Sequence, residues 1–431
     1  MKSFSSDSLP LARQVALQAI YRCLYKHQDL QFALDQALDT PRLSHRDKGL
    51  ATELAYGYVR NKTRSDFLVT FFLRSPDKLP RVFMLVLGMA AYELAFLDRI
   101  PAYATVDWAV QGIKLSWGKR LAGVANAVLR RIGDLGPAVH EPDWYRQDDP
   151  DTVTFLTRYY SCPEWIVRLW LESYGMDTAC EVLEGSIARP ALGLRCGPDM
   201  DPESLALEVQ DLLLARCGRS LALQQSFDHL DELLRQGQVS RQSYAAQMAL
   251  SALEPLSWPT PIWDACCGRG GKSMALLEQG CFPVWASDLH TGRLAGMQQE
   301  CRRTGRRIPL FRASAKETPP FRTPPGTILL DVPCSGLGVL ARRPDSKWKR
   351  TPRDVSALMA TQKAILENAW NVLPTGGVIA YITCTLNPAE NQDQIARLCK
   401  RHRNATIVRE YATKSREGLG EFFYAVTVRK A

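Results

Sequence analysis

From Leu11 to about Ile132, apolar residues recur at the three- and four-residue intervals of amphipathic helices. Val15, Ala19, Cys23 and Leu24 make one stripe, Leu50, Leu54 and Tyr58 a second, and Phe67, Val69, Phe71 and Phe72 a third, with prolines 41, 76, 80 and 101 between segments. The pattern predicts an all-α domain over residues 1–140, with the apolar 82–97 segment as its central helix. The longest apolar run, 82–92, falls well short of the roughly 20 residues a bilayer requires, so no membrane span is expected.

Residues 141–240 read as a small α+β connector. A helix opens at Pro163 and runs through Leu171, Leu192–Cys196 is strand-like, and a second helix falls around 202–214. Beyond 241 the pattern becomes short apolar runs alternating with helices. Strands are predicted at 261–265, 282–288, 308–313, 327–332 and 377–384, and helices after 272, at 291–304, 352–373 and 389–402. This alternation describes a parallel α/β sheet over 241–431, and the runs 405–411 and 422–428 add an antiparallel pair at its edge. Thr351, Pro352 and Asp354 form a strong start signal for the long helix.

Composition adds that the chain folds. With 46% hydrophobic and 23% charged residues in 431, it has apolar material for packed cores. Its net +9 is uneven: +7 over 1–140, −10 over 141–240 and +12 over 241–431. Two basic regions flanking an acidic one point to an anionic partner. Twelve cysteines follow an N-terminus, MKSFSSDSLP, that has no apolar signal core, so reduced thiols in the cytoplasm are expected. No Cys-x-x-Cys spacing supports a zinc site, and no metal is expected.

The first strand of the α/β region runs into Asp264-Ala-Cys266-Cys267-Gly268-Arg269-Gly270-Gly271-Lys272-Ser273 and then a helix. A phosphate-binding P-loop would need glycine at Cys266, and the dinucleotide fingerprint a glycine at Ser273. What remains is a glycine turn at a helix N-terminus and an acid, Asp288, ending the next strand, where a carboxylate can bind ribose hydroxyls. These point to a nucleoside-containing cofactor. The fourth strand ends in Asp331-Val-Pro-Cys334-Ser335 and the fifth in Thr383-Cys384-Thr385. Open α/β sheets bind ligands at strand carboxyl ends, so both thiols should face one crevice. Paired thiols without metal spacing suit either redox work or covalent catalysis on an electron-poor carbon.

The segments DACCGRGGKS, LLDVPCSGLG, RRPDSKW and YITCTLNPAEN, in this order, resemble the RNA cytosine-5 methyltransferases that use S-adenosylmethionine, whose catalytic domain is Rossmann-like. LVLGMAAYELAFLDRIPAYATVDWAV and GVANAVLRRI resemble a NusB-like RNA-binding domain. The resemblance spans nearly the whole chain. It implies Cys384 as nucleophile on C6, Cys334 as the thiol that helps release product, and Asp331 facing both cofactor and base. It further implies that Cys266, Cys267, Gly268, Arg269, Gly270, Gly271 and Lys272 hold the methionine part of the cofactor and that Asp288 holds its ribose. Arg269 stands where the family usually has proline, and Cys267 and Gly268 where it has alanines. Ser314 replaces a common Asp that contacts adenine, so a hydroxyl takes over from a carboxylate there.

Arg302, Arg303, Arg306, Arg307 and Arg312 form one basic cluster, and Arg342, Arg343, Lys347, Lys349, Arg350 and Arg353 surround Trp348 in another. Cations with an aromatic suit a phosphate backbone with a base to stack on, so the second cluster is expected to contact RNA, ribosomal RNA foremost. The protein is expected to be a monomer. Transfer RNA, a non-catalytic antitermination-type RNA binder and a DNA cytosine methyltransferase are the competing readings. The last is disfavoured because its nucleophile would be the Pro-Cys thiol.

Overall fold

The structure is a computed structural model and describes residues 9–414 and 417–431. Residues 1–8, on which the expectation of no secretory leader rests, lie outside the described residues. The chain forms two compact units, one of residues up to 187 together with 340–349, the other of 188–339 together with 350–431.

The first unit is helical, as the periodicity predicted. Its helices are Leu11–Lys26, Leu30–Leu38, His45–Arg60, Lys62–Phe71, Arg81–Phe96, Ala102–Asp134, Thr152–Tyr159 and Glu164–Ile187. Asp29, Ser44 and Asp151 cap three of them by accepting backbone N–H groups of the first turn. Gly118, at φ 83°, breaks Ala102–Asp134 into two arms, a conformation that L side chains rarely adopt. Arg81–Phe96 is the central helix and is buried along most of its length. It carries one charge into the core, the fully buried Glu93. Arg13 meets it in a bidentate pair at 2.6 and 3.0 Å, Thr105 Oγ1 donates at 2.5 Å and Trp108 Nε1 at 3.2 Å. The ion pair and the hydrogen bonds together offset the cost of taking this carboxylate out of water. No described helix is long and apolar enough to cross a membrane.

The expected connector, 141–240, is not a third compact unit, because its two halves bury their apolar faces in different cores. Its helices Thr152–Tyr159 and Glu164–Ile187 stay with the first unit, where the buried Ser161 hydroxyl accepts from Thr63 N at 2.9 Å, while the short helices Pro202–Glu208 and Leu230–Arg235 go with the second. Its sheet belongs to the second. That sheet holds β1 (Leu192–Cys196), β2 (Leu213–Cys217), β3 (Ser220–Leu223) and β4 (Val239–Arg241), all antiparallel in the order β2-β3-β1-β4. The helix expected over 202–214 stops at Glu208, and β2 follows within a few residues. Arg195 on β1 makes a two-pronged ion pair with Glu278, at 2.5 and 3.1 Å, and also donates to Gly271 O at 3.0 Å. It thereby ties the small sheet to the helix Gly271–Glu278 of the large one. Gln247, one of the glutamines before the first strand of the large sheet, donates to Leu194 O and Gln242 O, so it serves the same junction.

The large sheet contains β5 (Ile262–Asp264), β6 (Val284–Asp288), β7 (Leu310–Arg312), β8 (Thr327–Asp331), β9 (Val378–Thr383), β10 (Ala405–Ala412) and β11 (Tyr424–Lys430). Their order is β10-β11-β9-β8-β5-β6-β7. Strands β5 to β9 are mutually parallel, and β11 and β10 close one edge antiparallel. This is a Rossmann-like sheet whose strand order reverses between β5 and β8, where such folds open a ligand crevice. The start predicted for helix Pro352–Val372 is present as a complete capping box between Thr351 and Asp354.

Residues 340–349 correct an expectation. They pack in the helical unit, which turns most of the cluster assigned to RNA inward. Lys347 is 1% exposed, and its ammonium donates to Arg60 O at 2.9 Å. Trp348 lies against the helical core and donates through Nε1 to Val59 O at 2.8 Å, with Lys62 over its ring. Lys349 is paired with the buried Asp345 at 2.6 Å. Arg342 and Arg350 are half-buried, and Arg343 and Arg353 are exposed. A basic, aromatic loop and a buried anchoring segment have the same composition, and here burial wins for Lys347 and Trp348.

Two outcomes follow from these contacts. Replacing Arg195 with methionine leaves Glu278 buried without its cation, which should cost about 3–5 kcal/mol, read as a lower denaturation midpoint; an unchanged midpoint would show the pair to be dispensable. Burial, reinforced by Arg60 and opposed by Cys162, lowers the Lys347 ammonium to about 7. Between that value and the roughly 10.4 of an unfolded lysine, folding releases a proton, so stability rises with pH across this window. Lys347→Met should fold and lack that rise in denaturation curves taken from pH 7 to 10. Equal pH slopes in the two proteins would count against the buried ammonium.

Candidate active site

Parallel register decides what meets at the sheet edge. Asp264 pairs with Leu329, and Asp331 with Ile382, so β5, β8 and β9 end at nearly one level. The loops leaving them bring the Gly-rich turn, Asp331-Val-Pro-Cys334 and Thr383-Cys384-Thr385 into one crevice.

The Cys334 and Cys384 sulfurs are 3.3 Å apart, in direct hydrogen-bonding contact, and both residues are free thiols. The hydrogen bond to Cys384 raises the Cys334 pKa well above the usual thiol range, and burial and the negative charges of Cys384 and Glu390 add to it. Lys272 is buried, and its ammonium pairs with Asp331 Oδ2 at 2.5 Å. Burial works to strip its proton, but Asp331, and after it Cys384 and Asp264, hold the proton on and raise its pKa. A fixed cation thus stands where a thiolate on Cys384 would need one. The Asp331 side chain keeps about a third of its surface open.

The turn itself is only partly as expected. Gly268, at φ +57°, has nothing within 4 Å of where a Cβ would sit, leaving open space over its backbone. Gly270, at φ +89°, packs against Met297, which a side chain would strike. Cys267 points away from the crevice into a small core with Ala286 and Met297, so only its backbone can face a ligand. Arg269 folds back over Gly296 of the helix Thr291–Arg303, within about 3.0 Å of its missing Cβ. Both side chains that depart from the family pattern are thus taken up by contacts within the protein. Cys266 is half-buried beside Trp263 and Ala265, and burial and the carboxylates of Asp264, Asp331 and Asp288 keep it a neutral thiol.

Asp288 ends β6 with its carboxylate accepting from Gly268 N at 3.0 Å and His290 N at 2.8 Å, and Arg293 stands 3.6 Å away. Ser314 follows β7 in the next loop, where Ala313 N donates to Asp288 O. Its hydroxyl accepts from Lys316 N at 3.3 Å. The site fits a cationic nucleoside cofactor. Asp264 is fully buried, bonded to Ser273 through one oxygen only, and its other oxygen has no partner among the described residues. Burial pushes its carboxyl up to about 7, against the Ser273 hydrogen bond. An unmet acceptor, the open Gly268 cradle and three carboxylates suit a ligand that carries positive charge. No group of three or more His, Cys, Asp or Glu that could hold a metal is present among the described residues.

Sequence reasoning missed the support behind the thiols. Glu390, fully buried in the turn after β9, accepts from Ser335 N at 2.8 Å, Ser335 Oγ at 2.6 Å, Gln362 Nε2 at 3.0 Å and Asn387 Nδ2 at 3.2 Å. Asn391 accepts from Thr383 Oγ1 at 2.5 Å and donates to Thr385 O at 2.9 Å, clamping the residues on either side of Cys384. The Asn387-Pro388 turn signal was legible, but not the direction in which the acid three residues later would point.

Comparisons with known proteins agree with this geometry. The profile of the family described as 16S rRNA methyltransferase RsmB/F matches residues 250–424, and that of the NusB family matches 10–134. Ribosomal RNA small subunit methyltransferase B of Vibrio cholerae is 30% identical over 432 residues, covering 94% of this chain and 95% of that protein. The probable enzyme of the same name from Synechocystis is 31% identical over 411 residues, with 91% and 89% covered. Among solved structures, PH0851 shares the fold at a TM-score of 0.74 and 17% identity, covering 98% of this chain and 99% of that one. NSun6 from Pyrococcus horikoshii matches 62% of this chain and 98% of its own at a TM-score of 0.54 and 17% identity. With the large sheet and the helical unit both matched and relatives of 30% identity or more covering nearly its whole length, the chain belongs to the RsmB/F family of 16S rRNA methyltransferases and carries a NusB-family domain at its N-terminus.

Proposed function

We propose that the protein methylates C5 of a cytosine in RNA, 16S ribosomal RNA foremost, with S-adenosylmethionine as methyl donor and through a covalent bond from Cys384 to C6. The contact of the two sulfurs beside the Lys272–Asp331 pair is the observation that carries this reading. The turn from Cys266 to Lys272 would hold the methionine part of the donor, Asp288 its ribose, and the Ser314 loop would lie on its adenine side. When bound, the donor supplies an electrophilic methyl group on a sulfonium.

Cys384 acts as the thiolate, steadied by the Lys272 ammonium and by the Cys334 S–H. Its sulfur adds to C6, and the electron pair of the C5–C6 double bond is released to C5, which takes the methyl group. As charge builds at N3, Asp331 takes a proton from Lys272 and passes it to N3, and that proton returns to Lys272 through Asp331 when the ring regains its double bond. Once the Cys384 sulfur is bonded to carbon, its negative charge no longer holds the Cys334 proton, and that proton passes to water. Cys334 then removes the proton from C5. The C–H electron pair restores the C5–C6 double bond, the C6–S bond breaks, and Cys384 leaves as thiolate. A cytosine must leave its stack before C6 can be reached, so an unpaired or flipped nucleotide is the substrate.

Three variants test this reading with 16S rRNA transcript and methyl-labelled donor. Cys384→Ala should lose methyl transfer by on the order of 10⁴-fold or more and form no covalent complex; retained transfer would refute the nucleophile. Cys334→Ala should still form the complex and fail to resolve it, which a denaturing gel shows as a protein–RNA band. Asp331→Asn should slow transfer by about 10²–10⁴-fold, and full activity would remove it from the chemistry.

A further inference from the structure

Glu390 is a carboxylate where a structural tie could have been neutral. It is 0% exposed, and the donors that meet it, Ser335 N, Ser335 Oγ, Gln362 Nε2, Asn387 Nδ2 and, at 3.5 Å, Thr385 Oγ1, are all uncharged. Taking a carboxylate out of water is costly unless every lone pair is met, and a glutamine in its place would turn an N–H toward these donors. The bonds have one direction in the fold. Ser335 follows Cys334 and Thr385 follows Cys384, and their hydroxyls meet at 2.9 Å under the carboxylate. Gln362, which bonds Glu390, also holds Pro333 O at 3.0 Å on the other side of Cys334. Tyr381 OH fixes the turn by donating to Glu390 O at 2.7 Å.

We propose that Glu390 is a positioning residue for product release: its carboxylate pins the Pro333–Ser335 loop to the Thr385–Asn387 turn and so holds the Cys334 thiol against Cys384. This rests on the release role given to Cys334 above. Without the pin, Cys384 still stands on β9, held by the Asn391 clamp and facing Lys272, so the covalent bond and methyl transfer go forward. Cys334 alone drifts from its place. The proton stays on C5, its bonding pair cannot become the C5–C6 double bond, and the C6–S bond persists. The charge of Glu390 also pushes the Cys334 pKa up, which makes it a stronger base once it has lost its proton.

The experiment compares Glu390→Gln and Ser335→Ala with Cys334→Ala in the full-length protein. It measures methyl transfer in a single turnover, steady-state turnover, and the covalent protein–RNA band, with S-adenosylhomocysteine affinity as the check on the folded crevice. Glu390→Gln should keep near-normal single-turnover transfer while steady-state turnover falls about tenfold to a hundredfold, as expected for loss of a charged hydrogen-bond acceptor, and the covalent band rises. Ser335→Ala should move the same readouts less. A purely structural role would instead depress transfer and the band together. If Cys334→Ala accumulates the band and Glu390→Gln does not, the positioning role is overturned while the release reading stands. If Cys334→Ala itself accumulates none, the release reading fails and this inference with it. Should Glu390→Gln not bind S-adenosylhomocysteine, Ser335→Ala decides, and no rise in its covalent band overturns the inference.

Discussion

Parallel strand register is the constraint on which the catalytic unit depends. Parallel pairing puts every carboxyl end of β5, β6, β8 and β9 on the same edge, and the reversal of order between β5 and β8 leaves room there for a ligand. Asp264, Asp288, Asp331 and Cys384 are far apart in the chain but meet because each ends or follows such a strand. The chemistry then needs only short loops, and short loops hold side chains more precisely than long ones.

Charge in the crevice is arranged to keep each proton at a defined atom. Asp331 raises the Lys272 pKa against burial, the hydrogen bond to Cys384 and burial raise that of Cys334, and burial with three neighbouring carboxyl groups raises that of Cys266. Of the twelve cysteines, the two that touch each other are those on the loops after β8 and β9, and the vicinal pair at 266 and 267 is split, one side chain half-buried by the turn and the other in a core. The support lies one layer deeper. Glu390, Asn391 and Gln362 fix backbone on both sides of the thiols, as outer partners orient ligands in other sites.

The helical unit shows how far composition misleads about location. Its buried Glu93 is answered by Arg13, and Arg64, 7% exposed, lies between the rings of Phe96, Tyr145 and Tyr159 at 4.9–5.2 Å. Segment 340–349 adds Lys347 and Trp348 to the same kind of interior. The +7 and +12 charge excesses therefore overstate what is available to a polyanion, because some of those cations are spent inside. Arg303 is another: it bonds Leu234 O, Val239 O, Ser240 and Glu300.

Sequence alone determined the element types, because helical and alternating periodicities record which face is buried. It placed β1 correctly from Leu192 to Cys196, the helix start at Thr351 and the antiparallel edge pair. It also singled out Cys334, Cys384, Asp331 and Lys272, since strand-end motifs are local and the sheet rule says where strand ends point. What only tertiary structure decided was partnership. That the connector would divide between two cores, that Arg269 would lie over Gly296, that Lys347 would be sealed on a helix carbonyl, and that Glu390 would join two loops are all contacts across long stretches of chain. Periodicity encodes which side of an element faces inward; the residue it will meet there is fixed only when the chain closes on itself.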